Sequence, residues 1–194
     1  AKADSAARTF MSSFSARIPE ELRPVIPSIP EIEAIIKSAN NSCAGPDGIA
    51  FQVYRTMATV FAPILRELLI SLSEGRRPPG DFNEALLFLI SKGGTLTPLD
   101  MRPLAVTNTD NRLLAKCMVF VTTPALNAAI GEHQQGFLAG RKGDSHIKET
   151  NELFYQAVRD KGRAYPMPFL DPRKADDPGS HRFLRLSSEA IGLP

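Results

Sequence analysis

Residues 50 to 74 carry Val53, Met57, Val60, Phe61, Ile64, Leu65, Leu68, Leu69 and Leu72. That spacing is the three-and-four repeat of a helix with one face turned to a core, and it predicts one long helix. Its ends are marked. Ser42-Cys43-Ala44-Gly45-Pro46-Asp47-Gly48 is a turn cluster before it, and Gly75 with Pro78-Pro79-Gly80 stops it. The pattern then changes. Residues 84 to 91 form an apolar run of strand length, read as a buried strand, and residues 101 to 107 read as a second. Lys92-Gly93-Gly94 to Pro98 supplies a hairpin-like connection. A chain built this way is helix-rich with a minority of strand, the α+β class.

The remaining segments fit around that centre. Residues 1 to 18 predict a short amphipathic helix with Phe10, Met11 and Phe14 on one side. Pro19, Pro24, Pro27 and Pro30 make an extended connector, because proline fixes φ and removes a donor. Pro30 to Lys37 predicts a helix with proline and acids in its first turn. Residues 110 to 129 predict a helix that tolerates Pro124. Residues 143 to 160 predict another, with Ile147, Leu153, Phe154, Ala157 and Val158 as packing positions. Residues 165 to 171 predict a strand, and Ile191-Gly192-Leu193-Pro194 reads as an interruption rather than a capped end.

Composition limits the partners. The net charge of +2 gives no general basic field, so nucleic-acid binding has to come from local clusters: Arg76-Arg77, Arg141-Lys142, Arg159 to Arg163, and Arg173-Lys174. For each cluster singly, a solvated surface charge is the favoured reading. Cys43 and Cys117 stand far apart with no ligand spacing, which points to free thiols in a reducing compartment. His133, His146 and His181 lack metal-ligand spacing. The absence of a membrane-length apolar run or signal-peptide pattern gives the expectation of no membrane and an intracellular site, cytoplasmic or nuclear.

Several segments carry possible chemistry. Phe169-Leu170-Asp171 raises an acidic residue at the end of an apolar run, where a carboxylate can hold a divalent cation. The plain alternative is a helix N-cap, since Pro172 follows and suits a first helical turn. Lys92 and Arg102 flank the hairpin connection. They can face one side and grip a triphosphate, or stand as exposed charges at strand ends, which the local sequence favours. Gln134-Gln135-Gly136-Phe137-Leu138-Ala139-Gly140-Arg141 lets a backbone approach a nucleic-acid strand while Arg141 reaches phosphate; a glycine-containing surface loop is as good a reading. Gly45-Pro46-Asp47-Gly48 alone is a preset turn.

Taken in order, these segments resemble the reverse transcriptase domain of non-LTR, LINE-type retrotransposons. The series runs Ala44-Gly45-Pro46-Asp47-Gly48-Ile49, a long helix, Leu87-Phe88-Leu89-Ile90-Ser91-Lys92, Met101-Arg102-Pro103-Leu104, Gln135-Gly136-Phe137 to Gly140-Arg141, then Phe169-Leu170-Asp171 to Asp177. Asp110-Asn111-Arg112-Leu113-Leu114-Ala115-Lys116 is similar to the helix that follows the Arg-Pro segment there. The resemblance covers about residues 30 to 194. It implies a partial right-hand polymerase fold, fingers plus an incomplete palm, over 30–194, preceded by an N-terminal helix and proline-rich connector over 1–29. It further implies Asp171 as the catalytic carboxylate, with Asp171 and the Pro172 carbonyl holding Mg2+ or Mn2+. Lys92 and Arg102 would hold nucleotide phosphates, with Gln135, Gly136, Phe137 and Arg141 near template and nucleotide. The partners of a complete parent would be an RNA template, a DNA primer and deoxynucleoside triphosphates.

The chain departs from that family in three places. Asp176 stands where the family has an aromatic residue under the nucleotide sugar, within Ala175-Asp176-Asp177. Pro172 and Asp177-Pro178-Gly179 replace a more regular helix start. No aromatic-Ala-Asp-Asp motif follows, and one strand carboxylate does not assemble a two-metal site. The expectation is a fragment of an RNA-directed DNA polymerase that is inactive alone. The competing expectation is a non-catalytic remnant that binds nucleic acid or protein. An unrelated α/β enzyme using Asp171 as nucleophile is disfavoured, because Arg173 occupies the place of a second acid. A split palm would also expose a sheet edge and apolar surface, which predicts poor solubility.

Overall fold

The computed structural model describes residues 2–13, 17–91, 93, 101–159 and 180–193. In chain order the elements are α1 (Lys2–Ser12), a 3-10 turn (Glu20–Leu22), α2 (Ile29–Ser38), α3 (Phe51–Thr56), α4 (Ala58–Ser73), β1 (Ala85–Ser91), β2 (Met101–Thr107), α5 (Thr109–Ala129), α6 (Asp144–Arg159) and α7 (His181–Ile191). Among the described residues helices dominate and β1 and β2 pair as an antiparallel sheet, an α+β arrangement. The chain divides into two compact units, Val25–Val121 and Ala1–Pro24 with Thr122–Pro194. Among the described residues no helix is long and apolar enough to cross a membrane.

In the unit Val25–Val121, α2 starts as its sequence requires. The Ser28 N–H and Oγ both donate to Glu31 Oε2, at 2.7 and 2.6 Å, and Pro30 sits in the first turn. Those bonds from Ser28 hold the Glu31 carboxyl below its ordinary range. Ile32 and Ile36, one turn apart, are fully buried and belong to the same core as Ala58, Ala62, Leu65 and Leu69 on α4. From α5 the same core receives Leu113, Leu114 and Cys117.

The single helix expected over 50–74 is two. The chain breaks at Met57, with φ −113° and ψ 33°, and α4 restarts with Val60 and Phe61 bonded back to the Met57 carbonyl. The buried stripe nevertheless continues through the break: Phe51, Tyr54, Ala58, Ala62, Leu65, Leu69. Val53, Met57, Val60 and Ile64, chosen from the sequence for their size, lie on the exposed side. Leu65 and Leu69 of the expected stripe are buried and Phe61, Leu68 and Leu72 pack against the same core, while Ala58 and Ala62 take the positions where a small residue lets helices approach closely.

β1 and β2 form where the sequence placed them, paired from Ala85↔Thr107 to Ser91↔Met101. The expectation of a buried strand fails: all seven residues of β1 are exposed. Leu86, Phe88 and Ile90 share one face with Leu104 and Arg102, and Leu87 and Leu89 take the other. A two-stranded ribbon has too little area to bury either face by itself.

In the other unit, Ile18 on the connector packs with Ala125 and Ala129 of α5, flanked by Leu22, Ile191 and Leu193. The Ile18 N–H donates to the Ile191 carbonyl at 2.8 Å. α1 ends at Ser12, short of residue 18, and packs on α7; Phe10 is exposed, Met11 half-buried, and Phe14 lies outside the described residues. α7 is capped at both ends, whereas the sequence reading expected no cap at Ile191-Gly192-Leu193. The Ser180 side chain accepts the Phe183 N–H at its start. At its end Gly192 takes φ 96° and the Leu193 N–H reaches the Ser188 carbonyl at 2.9 Å, a complete helix cap. α6 matches its predicted span, but Ile147, Leu153, Phe154 and Val158 are exposed and Ala157 half-buried, so its expected packing face is not buried. The strand expected over 165–171 lies outside the described residues.

Candidate nucleic-acid interface

The Gly45-Pro46-Asp47-Gly48 turn is more than a connector. The Gly48 N–H donates to the Gly45 carbonyl at 3.0 Å, and the Asp47 carboxylate accepts the Ile49 N–H at 2.9 Å. The turn is docked on the start of α5. The Asp47 N–H donates to Asn108 Oδ1 at 3.1 Å, and buried Thr109 donates its hydroxyl to the Ile49 carbonyl at 2.6 Å. Arg112 reaches Ser42 Oγ and the Cys43 carbonyl, both at 2.6 Å, with its guanidinium 4.7 Å above the Phe51 ring. Gly45 explains why glycine stands there: an added Cβ would lie 2.6 Å from Asn108 backbone atoms. The sequence marked Gly45 to Gly48 and Asp110 to Lys116 as separate segments. Periodicity alone carries no signal that they meet.

A second built element is the loop from Ile130 to Arg141, at the C-terminal end of α5. Arg141 donates to four main-chain carbonyls: Asn127 at 2.9 Å, Ile130 at 2.8 Å, Gly131 at 2.5 Å and Gln134 at 2.9 Å. A cation placed here answers the unpaired carbonyls and negative dipole end of the helix. The amides add further ties. Gln135 donates to the Glu132 carbonyl at 2.6 Å, Gln134 to the Gly136 carbonyl at 3.0 Å, and Asn127 to the Ala139 carbonyl at 3.3 Å. Gly140 adopts φ 80°, which favours glycine. At the tip, Phe137 is fully exposed with φ 63°, a conformation that is strained for a bulky residue.

The candidate residues therefore fall in different places. Gln135, Gly136, Phe137 and Arg141 share one loop, with Phe137 presented outward and Arg141 engaged by backbone. Arg102 belongs to the unit Val25–Val121, opposite Ile90 and exposed at the end of the apolar face of the hairpin. Lys92, Asp171 and Pro172 lie outside the described residues. Among the described residues no group of three or more His, Cys, Asp and Glu is placed to hold a metal ion. Burial pushes the Cys117 thiol up to about 11, while Cys43 is exposed; both are free. No protein-family model matches the chain.

Proposed function

We propose that this chain is a fragment of a retroelement reverse transcriptase, comprising fingers and the first part of a palm, and that it binds RNA without extending a primer. The observation that carries this reading is the serial order of the segments from Ala44 to Asp177. The structure adds support of a general kind. The first segment is docked on the helix that follows the hairpin, and the Gln135 to Arg141 segment forms a braced loop with an aromatic ring displayed in solvent. An exposed ring on a fixed loop is suited to stacking on an unpaired base.

In a complete polymerase of this kind, magnesium ions neutralise the triphosphate and activate the primer hydroxyl. Asp171, with the Pro172 carbonyl, is the position that would contribute to such a centre. Lys92 and Arg102 would contribute charge for the phosphates. Asp171 by itself leaves the metal set incomplete, so polymerisation is not expected of these residues alone. A second reading is a remnant that binds a protein partner, favoured by the uncovered apolar hairpin.

Two assays on the full chain decide between them. Retention of labelled RNA that weakens as salt rises, with no primer extension in magnesium, supports the proposal. Extension abolished by Asp171→Ala would show that the chain is a working polymerase. Absence of binding to RNA or DNA at low salt would leave the protein-binding reading.

A further inference from the structure

A shallow depression of about 320 Å3 lies on the unit Val25–Val121, lined by Lys37, Asn41, Gln52, Arg55 and Thr56. Every lining residue is polar, two are cations and none is an acid. Lys37 closes α2, while Gln52, Arg55 and Thr56 lie along α3. Asn41 comes from the connection between them. Glu33, one turn back on α2, holds Lys37 in an ion pair. Arg55, Lys37 and Glu33 together leave one net positive charge at the site.

Arg55 is the informative residue. Its Nη2 donates to Asn41 Oδ1, whereas its Nε is shielded from solvent and has no hydrogen-bond partner. A guanidinium with an unmet donor is a ready partner for an acceptor that takes two parallel bonds, and a phosphate group is such an acceptor. Turning the guanidinium outward would satisfy Nε and Nη2 together on one phosphate. The Lys37 ammonium would supply a second charge, and Gln52 a neutral donor.

We propose that this depression binds a phosphodiester group of a single-stranded RNA backbone, with Arg55 as the gripping residue and Lys37 as the second charge. The inference rests on the RNA-binding reading above and adds a defined contact to it. Such a contact positions a strand without reading its sequence.

The test uses the full chain and a fluorescein-labelled oligouridine, followed by anisotropy from about 50 to 200 mM salt. Two variants are compared with the parent: Arg55→Gln, and Gln52→Glu, which adds a like charge for phosphate at an exposed position and leaves Arg55 and Asn41 untouched. The expected result is weaker binding by both. For Arg55→Gln the slope of log affinity against log salt should fall by about 0.7, the value of one phosphate contact on a single strand. If Arg55→Gln fails to fold, Gln52→Glu decides alone. RNA binding by the parent with affinity and slope unchanged in the folded variants overturns the site and leaves the function reading intact. No RNA binding by the parent overturns both.

Discussion

Removing the Arg141 guanidinium should loosen the end of α5 and the loop after it. Four charged hydrogen bonds disappear in Arg141→Ala, each nominally worth about 1.5–3 kcal/mol. They do not count equally. Gly131 and Gln134 are exposed, so water replaces the lost donor at their carbonyls at little cost. The part-buried bonds to Asn127 and Ile130 carry most of the effect. One side chain makes all of them, so its ordering entropy of about 2 kcal/mol is recovered once on deletion. With a helix-dipole term of about 0.3–1 kcal/mol, the terms leave a net loss of about 1–5 kcal/mol, of which about 2–3 kcal/mol is expected once the loop relaxes. Arg141→Lys keeps the charge but not the planar fork, and should recover less than half of it.

The loss is local, so hydrogen exchange is the suitable assay. A cost of about 2–3 kcal/mol should speed exchange of the protected amides between Asn127 and Arg141 by roughly 30- to 150-fold, with little change in α2 and α4. Exchange within about threefold of the parent would refute the reasoning, because it would mean that the bonds to these carbonyls are dispensable in solution. Unchanged exchange combined with lost RNA binding would identify Arg141 as a phosphate ligand rather than a positioning residue.

Other perturbations have equally definite outcomes. Gly45→Ala forces a Cβ into the Asn108 backbone and should cost about 1–3 kcal/mol by thermal unfolding; a cost under about 0.5 kcal/mol would show that the turn does not dock as described. Stability should fall with rising alkalinity: Cys117 moves from 9.0 to about 11 and Tyr54 from 10.0 to about 12, both by burial, so the unfolded chain loses these protons first. The contribution is complete below pH 9.0, declines through about 11 and 12, and is checked by denaturant titrations across that window, with Cys117→Ser and Tyr54→Phe flattening the decline. Iodoacetamide should label exposed Cys43 in the native chain and Cys117 only after denaturation, as peptide mass mapping would show. Phe88→Lys and Leu87→Lys should raise the soluble yield while changing stability by no more than about 0.5 kcal/mol, since both side chains are already exposed; a larger loss would mean that the hairpin is covered in solution.

Local chemistry was legible in the sequence wherever one segment decided its own structure. The span of β1 and β2, the proline start of α2, the tolerance of Pro124 in α5 and the extent of α6 all follow from short-range propensity and punctuation. What the sequence concealed depends on contacts between distant segments. Nothing local says that Ala58 and Ala62 rather than Val60 and Ile64 face the core; that depends on how closely α2 can approach. Nothing local says that Arg112 is tied to Ser42 and Cys43 some seventy residues away. The same holds for Arg141, which as sequence is one more surface cation and as structure is bound to the backbone carbonyls that end a helix. Its neighbour Phe137 stands in the opposite relation to the fold: an aromatic ring with no burial, in a backbone conformation that disfavours it, on a loop braced from both sides. Packing gives no reason for that residue. Phe137→Asn, which tolerates the conformation, should leave the fold at least as stable while weakening binding to single-stranded RNA. A variant that is stable and binds as tightly as the parent would separate this loop from nucleic-acid contact, and the search for the strand's path would return to Arg102 and the depression around Arg55.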